Sequence, residues 1–115
     1  MDEEDIIAAF ETKKDTLLDL QDAQDVLEAA KRTKAKKLLE IAKHDKLMRD
    51  QNTMDKLIIK GKNQDERDQC ERLVLEKEND HINDAEDVVR IKKLEDEFSD
   101  LAIKEIDFRM RNAGM

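Results

Sequence analysis

Two histidines and 30 acidic residues are the side chains of this 115-residue sequence best suited to binding a metal ion. Glu78 and His81 have the Glu-x-x-His spacing that supplies half of a carboxylate-bridged di-iron site on a bundle helix. A complete site needs a second such pair, but His44 follows Glu40 by four residues, and His81 lies off the predicted apolar seam. We therefore predict no metal site and no cofactor.

Acidic residues also recur on single helix faces, as they do in helical nucleotide pyrophosphohydrolases, where carboxylates from two helices converge on Mg²⁺. The sets in this sequence are Asp19, Asp22 and Asp25; Asp84 and Asp87; and Glu97 and Asp100. We favour a solvated helix face as their explanation. Because Ser99 is the single serine and no Gly-rich phosphate loop is present, nucleophilic catalysis has almost no candidate residues. We expect no enzymatic activity, with a metal-dependent helical hydrolase as a minor alternative.

The sharpest charge feature is a basic run of five residues: Lys31, Arg32, Lys34, Lys36 and Lys37. On a helix this run could contact the phosphates of a nucleic acid, although no aromatic residue lies near it to stack on bases. Near the N-terminus, Asp15, Asp19 and Asp22 belong to an acidic segment that could imitate a nucleic-acid backbone and occupy a basic cleft of a DNA-binding protein. Nucleic-acid association and nucleic-acid mimicry are therefore alternative functions.

Composition restricts the fold that carries these residues. Charged residues make up 45% and aromatic residues 3% of the chain, whereas about 25% of a typical soluble protein is charged. A core several side chains thick cannot be filled, so an ordinary globular enzyme is excluded. The longest apolar run, Ile6 to Phe10, is far shorter than the roughly 20 residues of a membrane span, and the N-terminus is acidic where a signal peptide is basic. We expect one soluble, cytoplasmic domain comprising residues 1–115.

Apolar residues at intervals of three and four predict two amphipathic helices, at about residues 4–59 and 64–112. Lys60, Gly61 and Lys62 are typical of a helix C-terminus, while Asn63 with Glu66 three residues later is typical of an N-terminal capping box. We predict a turn over 60–63, and Gly114 as the end of the second helix. The mostly polar stretch 43–56 leaves the continuity of the first helix open.

The predicted fold is all-α: two long helices in an antiparallel, coiled-coil-like hairpin. A turn at Gly61 brings the basic segment 31–62, with a net charge of +7, against the acidic segment 63–90, so the net charge collects at the open end. Two helices with a narrow seam bury little apolar surface, so we expect a homodimer with four helices.

The predicted seam of the second helix is a series of apolar residues: Leu75, Ile82, Ala85, Val88 or Val89, Ile91, Leu94, Phe98, Leu101 and Phe108. From Ala85 to Ile91 the spacing is three plus three instead of three plus four, which predicts a local irregularity in a supercoil. We expect a protein partner to bind at Leu94, Phe98 and Leu101 of this seam or at the acidic residues Asp15, Asp19 and Asp22.

The second half of the chain resembles small phage and prophage-encoded helical-hairpin proteins. The resemblance covers about half of the chain, and its most specific part is the Gly-Lys-Asn-x-x-Glu-Arg turn from Gly61 to Arg67. It implies an accessory protein of a virus or mobile element and names no reaction. We therefore predict a non-enzymatic interaction or assembly factor that acts on a host or viral protein.

Overall fold

The computed structural model describes residues 2–113, which form three α-helices and no β-strand. Helix α1 spans Glu3–Asp50, α2 spans Gln64–Val74 and α3 spans Glu76–Ala113, with a short 3-10 helix at Met54–Lys56. The predicted all-α class is confirmed. The predicted stop at Gly114 lies outside the described residues.

The chain divides into two packed units. Unit 1 combines the segments up to Val26 and from Ala85 onward, and unit 2 is Leu27–Asp84. Both long helices contribute residues to both units. Unit 1 contains 17 acidic and 8 basic residues, for a net charge of −9, whereas unit 2 contains 13 acidic and 14 basic residues, for +1. The net negative charge of the chain therefore resides entirely in unit 1.

Helix α1 ends nine residues before the predicted position 59, because Asn52 terminates it. Asn52 has a φ of 56°, the left-handed conformation that Asn adopts more readily than most residues. Its N–H donates to the Arg49 carbonyl at 3.0 Å, and the Thr53 N–H donates to the Met48 carbonyl at 2.8 Å. These two bonds form a Schellman motif, which satisfies carbonyls that the helix leaves free.

The segment after α1 is held by Asp45, a buried carboxylate with 5% of its surface exposed. Its Oδ1 accepts a hydrogen bond from the Ile58 N–H at 2.8 Å, and its Oδ2 accepts one from the Ile59 N–H at 3.0 Å. The prediction that the first helix extends through Leu57, Ile58 and Ile59 is wrong, because the N–H groups of Ile58 and Ile59 are available to Asp45 only outside a helix.

Helix α2 begins as predicted, at an N-cap formed by Asn63. The Asn63 Oδ1 accepts a hydrogen bond from the Glu66 N–H at 2.9 Å, and the Glu66 Oε2 accepts one from the Lys62 N–H at 2.7 Å. Gly61 does not end a helix and has no positive φ. A Cβ at this position would lie 2.6 Å from the Arg67 backbone nitrogen, so Gly61 is required because the chain passes close to α2.

The second predicted helix is interrupted at Leu75, the most buried large side chain, with 1% of its surface exposed. Its φ and ψ of −99° and 9° depart from helical values. Lys37 of α1 inserts at this break: its Nζ donates to the Val74 carbonyl at 3.0 Å and to Glu78 Oε1 at 2.8 Å. The predicted single helix 64–112 is therefore two helices, because the Val74 carbonyl accepts a hydrogen bond from Lys37 of α1.

Candidate protein-binding interface

In unit 1, α1 and α3 pack in antiparallel directions along a seam with an unbroken heptad spacing. We call this set of buried and half-buried side chains the inner seam. It consists of Ile6, Ala9, Lys13, Thr16, Leu20 and Ala23 from α1, and Ala85, Val89, Lys92, Asp96, Ser99, Ile103 and Ile106 from α3. Intervals of three and four alternate throughout both sets, so the irregularity predicted between Ala85 and Ile91 does not occur in the contact between the helices.

The middle of the inner seam is polar. Lys13 Nζ lies 2.7 Å from Asp96 Oδ1 and 2.6 Å from Asp100 Oδ1, and the Thr16 hydroxyl oxygen lies 2.9 Å from the Lys13 carbonyl and 3.2 Å from Asp96 Oδ1. The hydrogen bonds that the Lys13 ammonium donates to Asp100 and then to Asp96 raise the pKa of Lys13 above its ordinary value. Ser99 is buried beside them with 6% of its surface exposed. This part of unit 1 thus excludes large apolar side chains from the contact between its two helices.

Five large apolar side chains of α3 instead point outward. We call this row of residues the outer stripe: Ile91, Leu94, Phe98, Leu101 and Phe108, with Glu105 between the last two. Phe98 is 69% exposed and Phe108 is 66% exposed. Intervals of three and four place the outer stripe on one face of α3, on the side opposite the inner seam.

The outer stripe overturns the prediction that these residues form the seam between the two helices. Beyond Val89, the inner seam continues through Lys92, Asp96 and Ser99. Apolar periodicity alone indicated the other face, because the three-plus-three step from Ala85 to Ile91 is a change of face and not a slip in a supercoil. The complementary charges of Lys13 and Asp96 were the signal that could have identified the inner seam.

The α1 segment of unit 1 also exposes large apolar side chains. Phe10 is 56% exposed, and Leu17 and Leu18 are 48% and 51% exposed. These residues line a shallow hollow together with the stems of Lys13 and Lys14. Apolar exposure is therefore a property of both segments of unit 1.

The acidic residues predicted to bind a partner are also exposed. Asp15, Asp19 and Asp22 are spaced at four and three residues along α1, so they share one face of the helix. The Asp19 carboxylate lies 3.8 Å from Lys92 Nζ of the inner seam.

The basic run does not present one face. Lys31, Arg32 and Lys36 are exposed; Arg32 and Lys36 share a face of α1, whereas Lys31 lies about 100° around the helix from Arg32. Arg32 lies 3.5 Å from Glu28. Lys37 donates hydrogen bonds to the Val74 carbonyl and to Glu78. Lys34 lines a hollow that contains two acidic residues; its other lining residues are Asp68, Glu71, Arg72, Leu75 and Asn79. The structure therefore separates the five residues proposed to contact nucleic acid.

The two residues of the Glu-x-x-His pair have different surroundings: Glu78 pairs with Lys37, whereas His81 is exposed. Over residues 2–113, no three His, Cys, Asp or Glu side chains form a group that could hold a metal ion. Within the same range, none of the helices has the length and apolar character needed to cross a membrane. Comparisons of the chain with protein-family models, curated proteins and solved structures found no match.

Two carboxylates of unit 2 have lowered pKa values. The Lys37 ammonium, by donating a hydrogen bond to Glu78, lowers the pKa of that carboxyl group. Burial of Asp45 raises its pKa, but the N–H groups of Ile58 and Ile59, together with His44, outweigh burial and leave the pKa below its ordinary value. Both groups therefore bind protons more weakly in the folded than in the unfolded chain.

We expect this difference to make unit 2 sensitive to acid. The contribution of Glu78 to the free energy of unfolding is complete above its unfolded-state pKa of about 4.3, and it is lost as the pH falls through the lowered folded-state value. Urea unfolding over a range of acidic pH values should therefore show the difference between wild type and Glu78→Gln shrinking toward low pH. Glu76→Gln, at an exposed neighbouring position, is the matched control, and a pH-independent difference for Glu78→Gln would contradict the assignment.

Proposed function

We propose that this chain is a non-enzymatic interaction and assembly protein that binds protein through the outer stripe of α3. The observation that carries the proposal is the polarity of unit 1: Lys13, Thr16, Asp96 and Ser99 occupy the middle of the inner seam, while two phenylalanines are exposed on the outer stripe. Large exposed apolar side chains grouped on one face of a soluble protein typically mark interaction surfaces.

The nature of the exposed residues supports the same proposal. Aromatic side chains, phenylalanine included, are enriched at the buried core of interfaces between proteins, and the outer stripe contains Phe98 and Phe108. We also propose that the two long helices form an antiparallel coiled-coil hairpin and that two chains associate into a homodimer with four helices. The resemblance to small phage proteins extends it to a host or viral protein as a partner.

The proposal is tested by a double substitution, Phe98→Gln with Leu101→Gln. Glutamine is a good helix former, and both side chains are about half exposed or more, so α3 is expected to persist in circular dichroism. We expect the association of the chain with protein partners, measured by sedimentation and by quantitative affinity purification, to fall at least tenfold on losing these contacts. Leu73→Gln is the matched control, since Leu73 is 72% exposed and lies in α2, outside the outer stripe. Equal association of all three proteins would reject the proposal.

Nucleic-acid mimicry is a second candidate, favoured by the net charge of −9 in unit 1 and by the shared face of Asp15, Asp19 and Asp22. Replacement of these three aspartates by asparagine distinguishes the two functions, because it leaves the outer stripe unchanged. Association with protein partners should fall if the chain acts by mimicry and persist if it acts through the outer stripe. Direct association with nucleic acid has weaker support, since the five basic residues do not share a face of α1.

A further inference from the structure

Two oppositely charged side chains flank the outer stripe one heptad apart. Glu97 precedes Phe98, and Lys104 precedes Glu105, so both charges lie along the same edge of the outer stripe. Both side chains are exposed, and neither forms a salt bridge within residues 2–113. They are therefore available to a partner that brings the complementary charges.

We infer that this partner is a second copy of the chain, and that the two outer stripes pair in antiparallel directions about a twofold axis between Phe98 and Leu101. The inference rests on the proposed function and specifies its partner. In this register, Phe98 of one copy packs against Leu101 of the other, and Ile91 packs against Phe108. The alternating spacing of three and four suits the packing of knobs into holes, and the twofold axis makes every contact occur twice.

Charge selects the antiparallel direction. Glu97, just before Phe98, and Lys104, just before Glu105, occupy the same heptad position. In an antiparallel pair, this position on one helix faces the same heptad position on the other helix. Glu97 of each copy therefore faces Lys104 of the other, which produces two complementary pairs beside the centre of the contact. Such complementarity fixes the register and disfavours other arrangements.

A parallel pair would instead place Glu105 of one copy against Glu105 of the other, inside the contact. Two like charges in such a position are repulsive. In the antiparallel register, Glu105 lies opposite Leu94 of the other copy and keeps its own neighbour, Arg109, at 2.6 Å.

The ends of the antiparallel contact bring Arg90 of one copy near Arg111 of the other. Each of these arginines already has an acidic neighbour on its own helix, Asp87 for Arg90 and Asp107 for Arg111. Their repulsion is thereby reduced, and it lies at the exposed edges of the contact, where salt screens it further.

Charge reversal tests both the partner and the register. In the single variants Glu97→Lys and Lys104→Glu, two attractive pairs become two repulsive ones, so we expect self-association in sedimentation equilibrium to weaken about tenfold. The double variant Glu97→Lys with Lys104→Glu restores both pairs and should self-associate like wild type. An equimolar mixture of the two single variants should also associate, because one chain then carries two lysines and the other two glutamates at these positions.

The outcomes separate this inference from the proposed function. A wild-type chain that remains a 13.4 kDa species at high micromolar concentration overturns the self-pairing. A dimer whose single variants associate normally, or whose mixture fails to associate, overturns the antiparallel register. In either case, the comparison of the Phe98→Gln, Leu101→Gln protein with Leu73→Gln in affinity purification still decides whether the outer stripe binds protein.

Discussion

Replacing Asp45 by alanine is expected to lower the free energy of unfolding by about 3 kcal/mol, since hydrogen bonds to a charged group contribute about 1.5–3 kcal/mol each. The Asp45 carboxylate accepts hydrogen bonds from the Ile58 and Ile59 N–H groups, and only 5% of the residue's surface is exposed. Alanine leaves both donors without their acceptor. Urea unfolding followed by circular dichroism measures the loss, and hydrogen exchange at residues 58 and 59 should accelerate with it.

Two further variants define the cause. Asp45→Asn keeps the size of the side chain but offers one carbonyl oxygen in place of two carboxylate oxygens. We therefore expect its free energy of unfolding to lie between those of wild type and Asp45→Ala. Asp50→Ala removes an exposed acidic residue from the last turn of the same helix and should change the free energy of unfolding little. If Asp45→Ala and Asp50→Ala were equally stable, Asp45 would not hold the segment that follows α1.

Replacing Gly61 by alanine is expected to destabilise the chain by about 2 kcal/mol, the usual effect of forcing additional atoms into a packed site. The new Cβ would lie 2.6 Å from the Arg67 backbone nitrogen and 2.9 Å from the Glu66 carbonyl carbon. These neighbours belong to the first turn of α2, and they cannot move without disturbing the Asn63 N-cap. Both chemical and thermal unfolding should report the loss.

The sign of the Gly61 effect is itself informative. Where space permits, a Gly to Ala substitution stabilises a protein by about 0.4–1 kcal/mol, because it restricts the unfolded chain. A stabilised Gly61→Ala protein would therefore show that the close approach to α2 does not occur. Lys62→Ala, which truncates an exposed side chain next to Gly61, is the control for general effects of substitution in this segment.

Local interactions explain which elements could be predicted. The N-cap at Asn63 depends on an oxygen that reaches an N–H three residues away, so it follows from the sequence of a single turn. The end of α1 at Asn52 depends on a similarly local motif, but Asn is a weaker signal than Gly. The sequence therefore predicts the end of the first helix at Gly61, whereas Asn52 performs that role.

Other features depend on residues far apart in the chain. Asp45 accepts hydrogen bonds from residues 13 and 14 positions later, and Lys37 binds Val74 and Glu78, 37 and 41 positions later. The periodic spacing of apolar residues does not indicate which distant residue a polar side chain will contact. The break at Leu75 and the course of the segment 57–60 could therefore be assigned only once the helices were packed together.

The sequence alone determined that the chain is helical, because its apolar spacing, its lack of proline and its helix caps are properties of neighbouring residues. It also contained the outer stripe in full, as five large apolar residues at intervals of three, four, three and seven. The tertiary structure decided which face of α3 meets α1. The reason is that a helix with two regular faces can bury either one, and the choice depends on what the other helix offers. Here α1 offers Lys13 and Thr16 to Asp96, so the face of α3 that carries Asp96 and Ser99 turns inward and the face that carries the outer stripe remains exposed.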